Sequence, residues 1–295
     1  MTLFRPFVLV STVALLVTMS LWFTPMDVSS PGNVGILFLS HSFSGYYDTR
    51  VKQIHQTWGK RINDSPDMHL IIVTNSSNVT PRRGEDVRGT KCVEGYKDLP
   101  ECCKRGEIFK IAHQYFSSEA GKAMDWAVFI DDDVFVIPEV LSRYIQQLGP
   151  EALDTYKLYG IPMGTSKCGG VWGGTGFIMN RKTLELVIHG TRPGFETITE
   201  EILDMCMYCG GWGDIATSFL LLSKRNGQIS ASTAIHGQQR AFMYNMTRDE
   251  METALRPGAN KQVPWLFHHS SRDNVLWLDE RVAHYDILSN FYGFN

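Results

Sequence analysis

The chain lacks a basic excess: across 295 residues, 28 Lys and Arg face 31 Asp and Glu, a net charge of −3. Proteins that live on phosphate backbones normally carry such an excess, so nucleic-acid binding is set aside as the main function. Internal repeats and long low-complexity tracts are missing as well, which argues against solenoids and disordered linkers. What remains is a folded globular composition, 43% apolar and 20% charged. It is enough for one large domain or two small ones, with ample core either way.

Charge is also missing from one particular stretch. Residues 6–23, PFVLVSTVALLVTMSLWF, carry none, and their length falls within the roughly 17–25 residues of a membrane-spanning helix. A cleaved signal peptide has a shorter apolar core, about 7–15 residues. This run ends in bulky Leu21, Trp22 and Phe23 and meets no clean small-x-small cleavage site. An uncleaved signal-anchor is the favoured reading, with residues 1–5 as a cytosolic tail and 24–33 as a short stem. Arg5 before the run points the same way, toward a single-pass type II protein with its body in the lumen. The short span suits the Golgi or endoplasmic-reticulum membrane.

A luminal body agrees with the glycosylation triplets at Asn63, Asn75, Asn78 and Asn245, and with six cysteines that all lie beyond residue 23. An even count in an oxidising compartment reads as disulfides. Adjacent Cys102 and Cys103 would be strained if paired together, so Cys92 is expected to join one of them, and Cys168 to join Cys206 or Cys209. A zinc site at Cys206-x-x-Cys209 is the competing reading, but it lacks a second clean pair or a nearby His.

Periodicity gives buried strands at 34–41, 68–75 and 126–130. Helices are expected at 46–58, near 104–117, and at 138–149, 181–190, 198–208 and 214–227, with Gly149 and Asn226-Gly227 as stops. Strands alternating with helices predict an α/β fold built on a mainly parallel sheet flanked by helices. Ligands bind beyond the carboxyl ends of such strands. The third strand ends there in Asp131, Asp132 and Asp133. Strand alternation would put Asp131 and Asp133 on one face and Asp132 on the other. Two converging carboxylates suit a divalent cation such as Mn²⁺ or Mg²⁺, which in turn docks a diphosphate. A solvated acidic turn is the plain alternative. An Asp-x-Asp-x-Thr phosphohydrolase is a sharper one, although Phe135 stands where its Thr or Val belongs.

Several segments, in order, resemble the fringe-like and β1,3-glycosyltransferase family: TRVKQIHQTWGKR, HLIIVTN, DWAVFIDDDVFV, GGVWGGTGFIMNRKTLE, GGWGDIATSFLL and PWLFHHSSRD. They span about residues 34–272. The resemblance implies a luminal GT-A-like catalytic domain over 34–295. It also implies an inverting, metal-dependent transfer of a hexose or N-acetylhexosamine from a UDP-sugar to a glycan or glycoprotein. Asp133 maps to the metal contact, with Asp131 beside it and Asp131 and Asp132 near the nucleotide or metal waters. His268 and His269 are the favoured further ligands, and His236 is the rival. Arg50, Gly173 and Gly174 fall in segments that line the nucleotide-sugar. Asp214 is the implied general base, although Gly213 replaces the acid that the family carries before it. Taken by itself, Asp214 also reads as a helix N-cap. GGTG at 173–176 reads either as a close sugar approach or as a turn. Trp172 and Trp212 read as sugar-stacking or core residues. Glu200, Glu201 and Asp204 are the fallback bases. The resemblance leaves open a homodimer, and a non-catalytic chaperone or partner of an active transferase.

Overall fold

A computed structural model describes residues 34–74, 79–93, 99–165, 167–224, 227–235, 246–256, 264–268 and 272–284. The apolar run at 6–23 lies outside them. So do His236, His269 and the triplets at Asn75, Asn78 and Asn245. Among the described residues no helix is long and apolar enough to cross a membrane.

The first strand forms as β1 (Ile36–Ser42) and is buried along its whole length. The helix expected over 46–58 is broken. A tight 3₁₀ turn (Ser44–Tyr46) and a wider π-helical turn (Tyr47–Val51) lead into α1 (Lys52–Gln56), and the chain kinks at Thr57 before α2 (Trp58–Asn63). The Thr57 hydroxyl donates to the Gln53 carbonyl at 2.8 Å, an alternative to the helical ladder. The kink turns Trp58 fully inward, where its indole N–H donates to the Val134 carbonyl at 3.1 Å.

Next come β2 (Met68–Thr74), β3 (Asp86–Gly89), the long α3 (Leu99–Phe116), β4 (Trp126–Asp131) and the short β5 (Phe135–Val136). Helix α4 (Pro138–Gln146) begins on its proline, where no N–H is needed, and the chain leaves it through Gly149 at φ +78°. Three short strands follow, β6 (Lys157–Tyr159), β7 (Pro162–Gly164) and β8 (Gly169–Val171), then β9 (Phe177–Asn180). The Asn180 side chain accepts from Thr183 N–H and so starts α5 (Arg181–His189). A Thr197–Glu200 capping box starts α6 (Ile198–Cys209). The described chain ends with α7 (Gly213–Lys224), β10 (Ser230–Ser232), α8 (Arg248–Leu255), β11 (Leu266–Phe267) and α9 (Arg272–His284).

The main sheet has seven strands in the order β10-β6-β9-β4-β1-β2-β3. It is mainly parallel, as expected, and mixed through one strand: β9 runs antiparallel to both β4 and β6, while the other ladders are parallel. Only the strong apolar runs were visible as strands. The others are two to four residues long, too short to show a period. Alternation along the central strands makes two cores. Ile36, Phe38, Trp126, Val128 and Ile130 face one side with Trp58 and Trp265, while Leu37, Leu39, Ala127 and Phe129 face the other with Phe109 and Phe177.

All six cysteines are paired, as Cys92–Cys103, Cys102–Cys206 and Cys168–Cys209. Neighbours on a helix point about 100° apart. Cys103 therefore reaches the loop cysteine, while Cys102 turns inward and staples α3 to α6. The zinc reading of Cys206 and Cys209 is overturned, since each belongs to a different disulfide.

Candidate active site

Strands β2 and β3 grow from one side of β1, and β4 returns on the other. The order therefore reverses between β1 and β4, and the crevice beyond their carboxyl ends is the ligand position of an open α/β sheet. In that crevice His41 of β1 is the register partner of Asp131 of β4.

Asp131 is the last residue of β4, and Asp132 and Asp133 already belong to a turn. Strand alternation does not extend to them. Asp132 is not thrown to the opposite face but lines a small cavity of about 40 Å³ together with Asp131, His41 and Lys104. Asp132 accepts from the Ser42 hydroxyl at 2.6 Å and from Arg50 at 2.7 Å. Burial nevertheless pushes its carboxyl above the usual range, against the pull of Arg50 and Ser42. Arg50 also lies 3.9 Å from Asp133 and covers the Tyr46 ring at 4.2 Å. Asp133 sits 3.6 Å from the buried His268.

Asp131, Asp133 and His268 each offer a ligand atom, and these atoms lie within 4.8 Å of one another. Two carboxylate oxygens with one imidazole nitrogen form a donor set suited to Mn²⁺ or Mg²⁺. His268 is delivered by β11, which pairs antiparallel with β5 just after the acids. Its ring is held between Trp172, at 5.1 Å edge to face, and Gly174, where a Cβ would fall 2.6 Å from the imidazole. That glycine leaves room for the histidine.

Helix α3 supplies groups that the sequence reading missed. Arg105, fully buried, donates to Asp131 at 2.7 Å and lies 3.4 Å from Glu101. Burial alone would push the Asp131 carboxyl up, but Arg105, then His41 and His268, bring it down to about 2. For Arg105 burial works against the charge, and Asp131, Glu101 and Asp214 together outweigh it and hold it on. Lys104 is almost completely buried beside the same acids. Burial lowers its pKa, as does Arg105. Glu101 goes the other way, pushed up to about 7 by burial and by the negative charges of Asp131 and Asp214, against the pull of Arg105. His41 is kept neutral, its pKa well lowered by burial and by Arg105. One signal for Arg105 was available: it falls on the helical face of Cys102, Phe109 and Ala112, the face that is buried.

Asp214 lies in the first turn of α7, where the helix dipole favours a negative charge. It is buried, and both oxygens accept backbone hydrogen bonds, from Gly173 at 2.9 Å and from Ile215 at 2.8 Å. One turn on, the Ser218 hydroxyl accepts from Val171 N–H at 2.6 Å. Strand β8 and the GGTG turn are thus stapled to α7. A Cβ at Gly173 would strike the Asp214 Cβ at 2.5 Å and Arg105 at 2.9 Å, so this glycine admits protein groups first. A Cβ at Gly213 would meet the Glu101 side chain at 3.3 Å. A carboxylate from α3 thus occupies the space beside Asp214.

The other described residues marked from sequence divide between this network and duties elsewhere. Trp172 packs on His268, while Trp212, 59% exposed, is not core. The fallback acids have structural duties. Glu200 closes the capping box, Glu201 is buried on Arg192 at 2.6 Å, and Asp204 holds Arg192 at 3.1 Å.

Compared with known families, residues 36–286 match the family model described as Fringe-like.

Proposed function

The chain belongs to the Fringe-like family, and on that premise we propose an inverting β1,3-type glycosyltransferase that uses a UDP-sugar and a glycan or glycoprotein acceptor. The observation that carries the reading is the convergence of Asp131, Asp133 and His268 beside a buried carboxylate, Asp214, that Arg105 and Gly173 link to them. Asp131, Asp133 and His268 would hold Mn²⁺ or Mg²⁺, which supplies charge stabilisation to a leaving diphosphate. Arg50 adds fixed positive charge beside the same acids. Asp214 takes the proton of the acceptor hydroxyl as its oxygen attacks the anomeric carbon. The bond from that carbon to the phosphate oxygen breaks, and UDP leaves with the electron pair. Attack from the face opposite the leaving group inverts the centre.

The phosphohydrolase alternative expects Thr or Val at 135. Phe135 is instead fully buried and pairs with β11. We further propose a Golgi or endoplasmic-reticulum location, with residues 6–23 as the anchor. The test is to incubate the detergent-solubilised chain with a panel of UDP-sugars and acceptors, with Mn²⁺ or with chelator, and follow UDP release. Acceptor-dependent release with one donor, abolished by chelator, supports the proposal. Mn²⁺-dependent UDP binding without release from any donor would point to the non-catalytic partner role. Phosphate-ester hydrolysis without need of UDP would point to the phosphohydrolase.

A further inference from the structure

A second concavity, about 390 Å³, lies between α1–α2 and the segment 82–85 that enters β3. None of Asp131, Asp132, Asp133, Asp214 or His268 lines it. Its wall carries Lys52, Lys60, Arg82 and Arg83, with Glu85 as the single acid.

Glu85 offsets one of those cations, Arg82. Its side chain is only 6% exposed and is already taken up by the Tyr47 hydroxyl, by Arg82 N–H at 3.0 Å and by Arg82 Nη1 at 3.8 Å. The neighbouring acids are engaged too, Asp48 with Arg82 and Asp64 with Lys60. Among the described residues Lys52 and Arg83 enter no ion pair. At the back of the groove the His55 side chain is 11% exposed, and its Nε2 is buried without a hydrogen bond, 3.6 Å from Glu85. Burial lowers its pKa, followed by Arg82, against the raising effect of Glu85. It is therefore a neutral imidazole whose Nε2 is buried against Glu85.

We propose that this groove binds an anionic saccharide, one that carries sulfate or carboxylate groups. Arg and Lys at the rim suit those anions, Arg through its paired N–H groups. The volume is in the range of ligand pockets and exceeds what a lone inorganic anion fills. The lining has no aliphatic or aromatic side chain to anchor an apolar peptide. Gln56 offers an amide group to sugar hydroxyls. The groove starts two residues after Arg50, whose guanidinium holds Asp132. A saccharide lying along α1 therefore runs away from the acid cluster. The inference is independent of the transfer chemistry, because binding is read without turnover.

The test uses the full-length chain in detergent and a heparin-derived tetrasaccharide, with maltotetraose and inorganic sulfate as comparators, by calorimetry. The tetrasaccharide is expected to bind, to weaken as salt is raised, and to lose at least about tenfold in affinity in Lys52→Glu/Arg83→Glu. Both positions are exposed, so this variant should melt like the wild type and bind UDP unchanged. Equal affinity in wild type and variant would overturn the proposal, as would maltotetraose binding as tightly. Inorganic sulfate matching the tetrasaccharide would also overturn it, by reducing the ligand to a simple anion.

Discussion

Both oxygens of Asp214 receive backbone N–H groups, so a neutral replacement separates its structural work from its chemical work. Asp214→Asn keeps the shape and one acceptor but turns an amide N–H toward the other donor. A loss of about 1 kcal/mol follows, about 2–4 °C in melting for a chain of this size. As the base, Asp214 should cost on the order of 10²–10⁴-fold in turnover when neutralised. UDP release by Asp214→Asn above about a tenth of wild type would leave it only a structural role at the start of the helix, inside which it lies rather than at the N-cap. Glu101 carries a second prediction. Its folded pKa is raised to about 7 from the ordinary 4.5, so the folded state holds a proton that the unfolded state releases. Its stabilising contribution is complete below about pH 4.5 and is lost as pH rises through about 7. With no divalent ion present, melting should fall across that window, and Glu101→Gln should flatten this part of the profile. His41, with its lowered pKa, works in the opposite sense, so the difference between the two proteins is the measurement. Identical profiles would remove Glu101 as the titrating group. At this scale the acids were legible because apolar strands flank them. Glu101, Lys104 and Arg105 were not, since burial of a charged side chain depends on partners from other elements.

Helix α3 and the GGTG turn show how elements carry the site. The turn lets His268 approach, and Gly174→Ala tests that, because the added Cβ would fall 2.6 Å from the ring. The imidazole must shift, and the expected result is a 10–100-fold loss of Mn²⁺ affinity, the order seen when groups supporting metal ligands are removed, with little change in overall fold. Calorimetry with Mn²⁺ alone reads it, and unchanged affinity would mean that His268 is not a ligand. Long periodic helices and apolar strands were readable from sequence within a few residues. The kink at Thr57 was not, because Trp58 docking on Val134 decides it rather than local propensity. Cys92–Cys103 and Cys168–Cys209 were among the pairings expected. Cys102–Cys206 was missed because it joins two helices that only the folded sheet brings together.

For the whole molecule, the alternating α/β order and the site at the carboxyl end of β4 were visible in the sequence. The single antiparallel strand was not, because β9 is too short to reveal its direction. The proposed anchor has a direct test: the full-length protein should stay in the membrane pellet after carbonate extraction, and a soluble form beginning near residue 30 would mean a cleaved signal. The Cys102–Cys206 pairing also sets a clock on biosynthesis. Cys103 and its partner Cys92 are only 11 residues apart, but Cys102 must wait for a residue 104 positions later. At roughly 5–20 residues per second, that is about 5–20 s during which a reactive thiol sits next to the correct mate of Cys92. The nascent chain is therefore exposed to one specific error, Cys92 joined to Cys102. A thiol–disulfide exchange catalyst would undo that error.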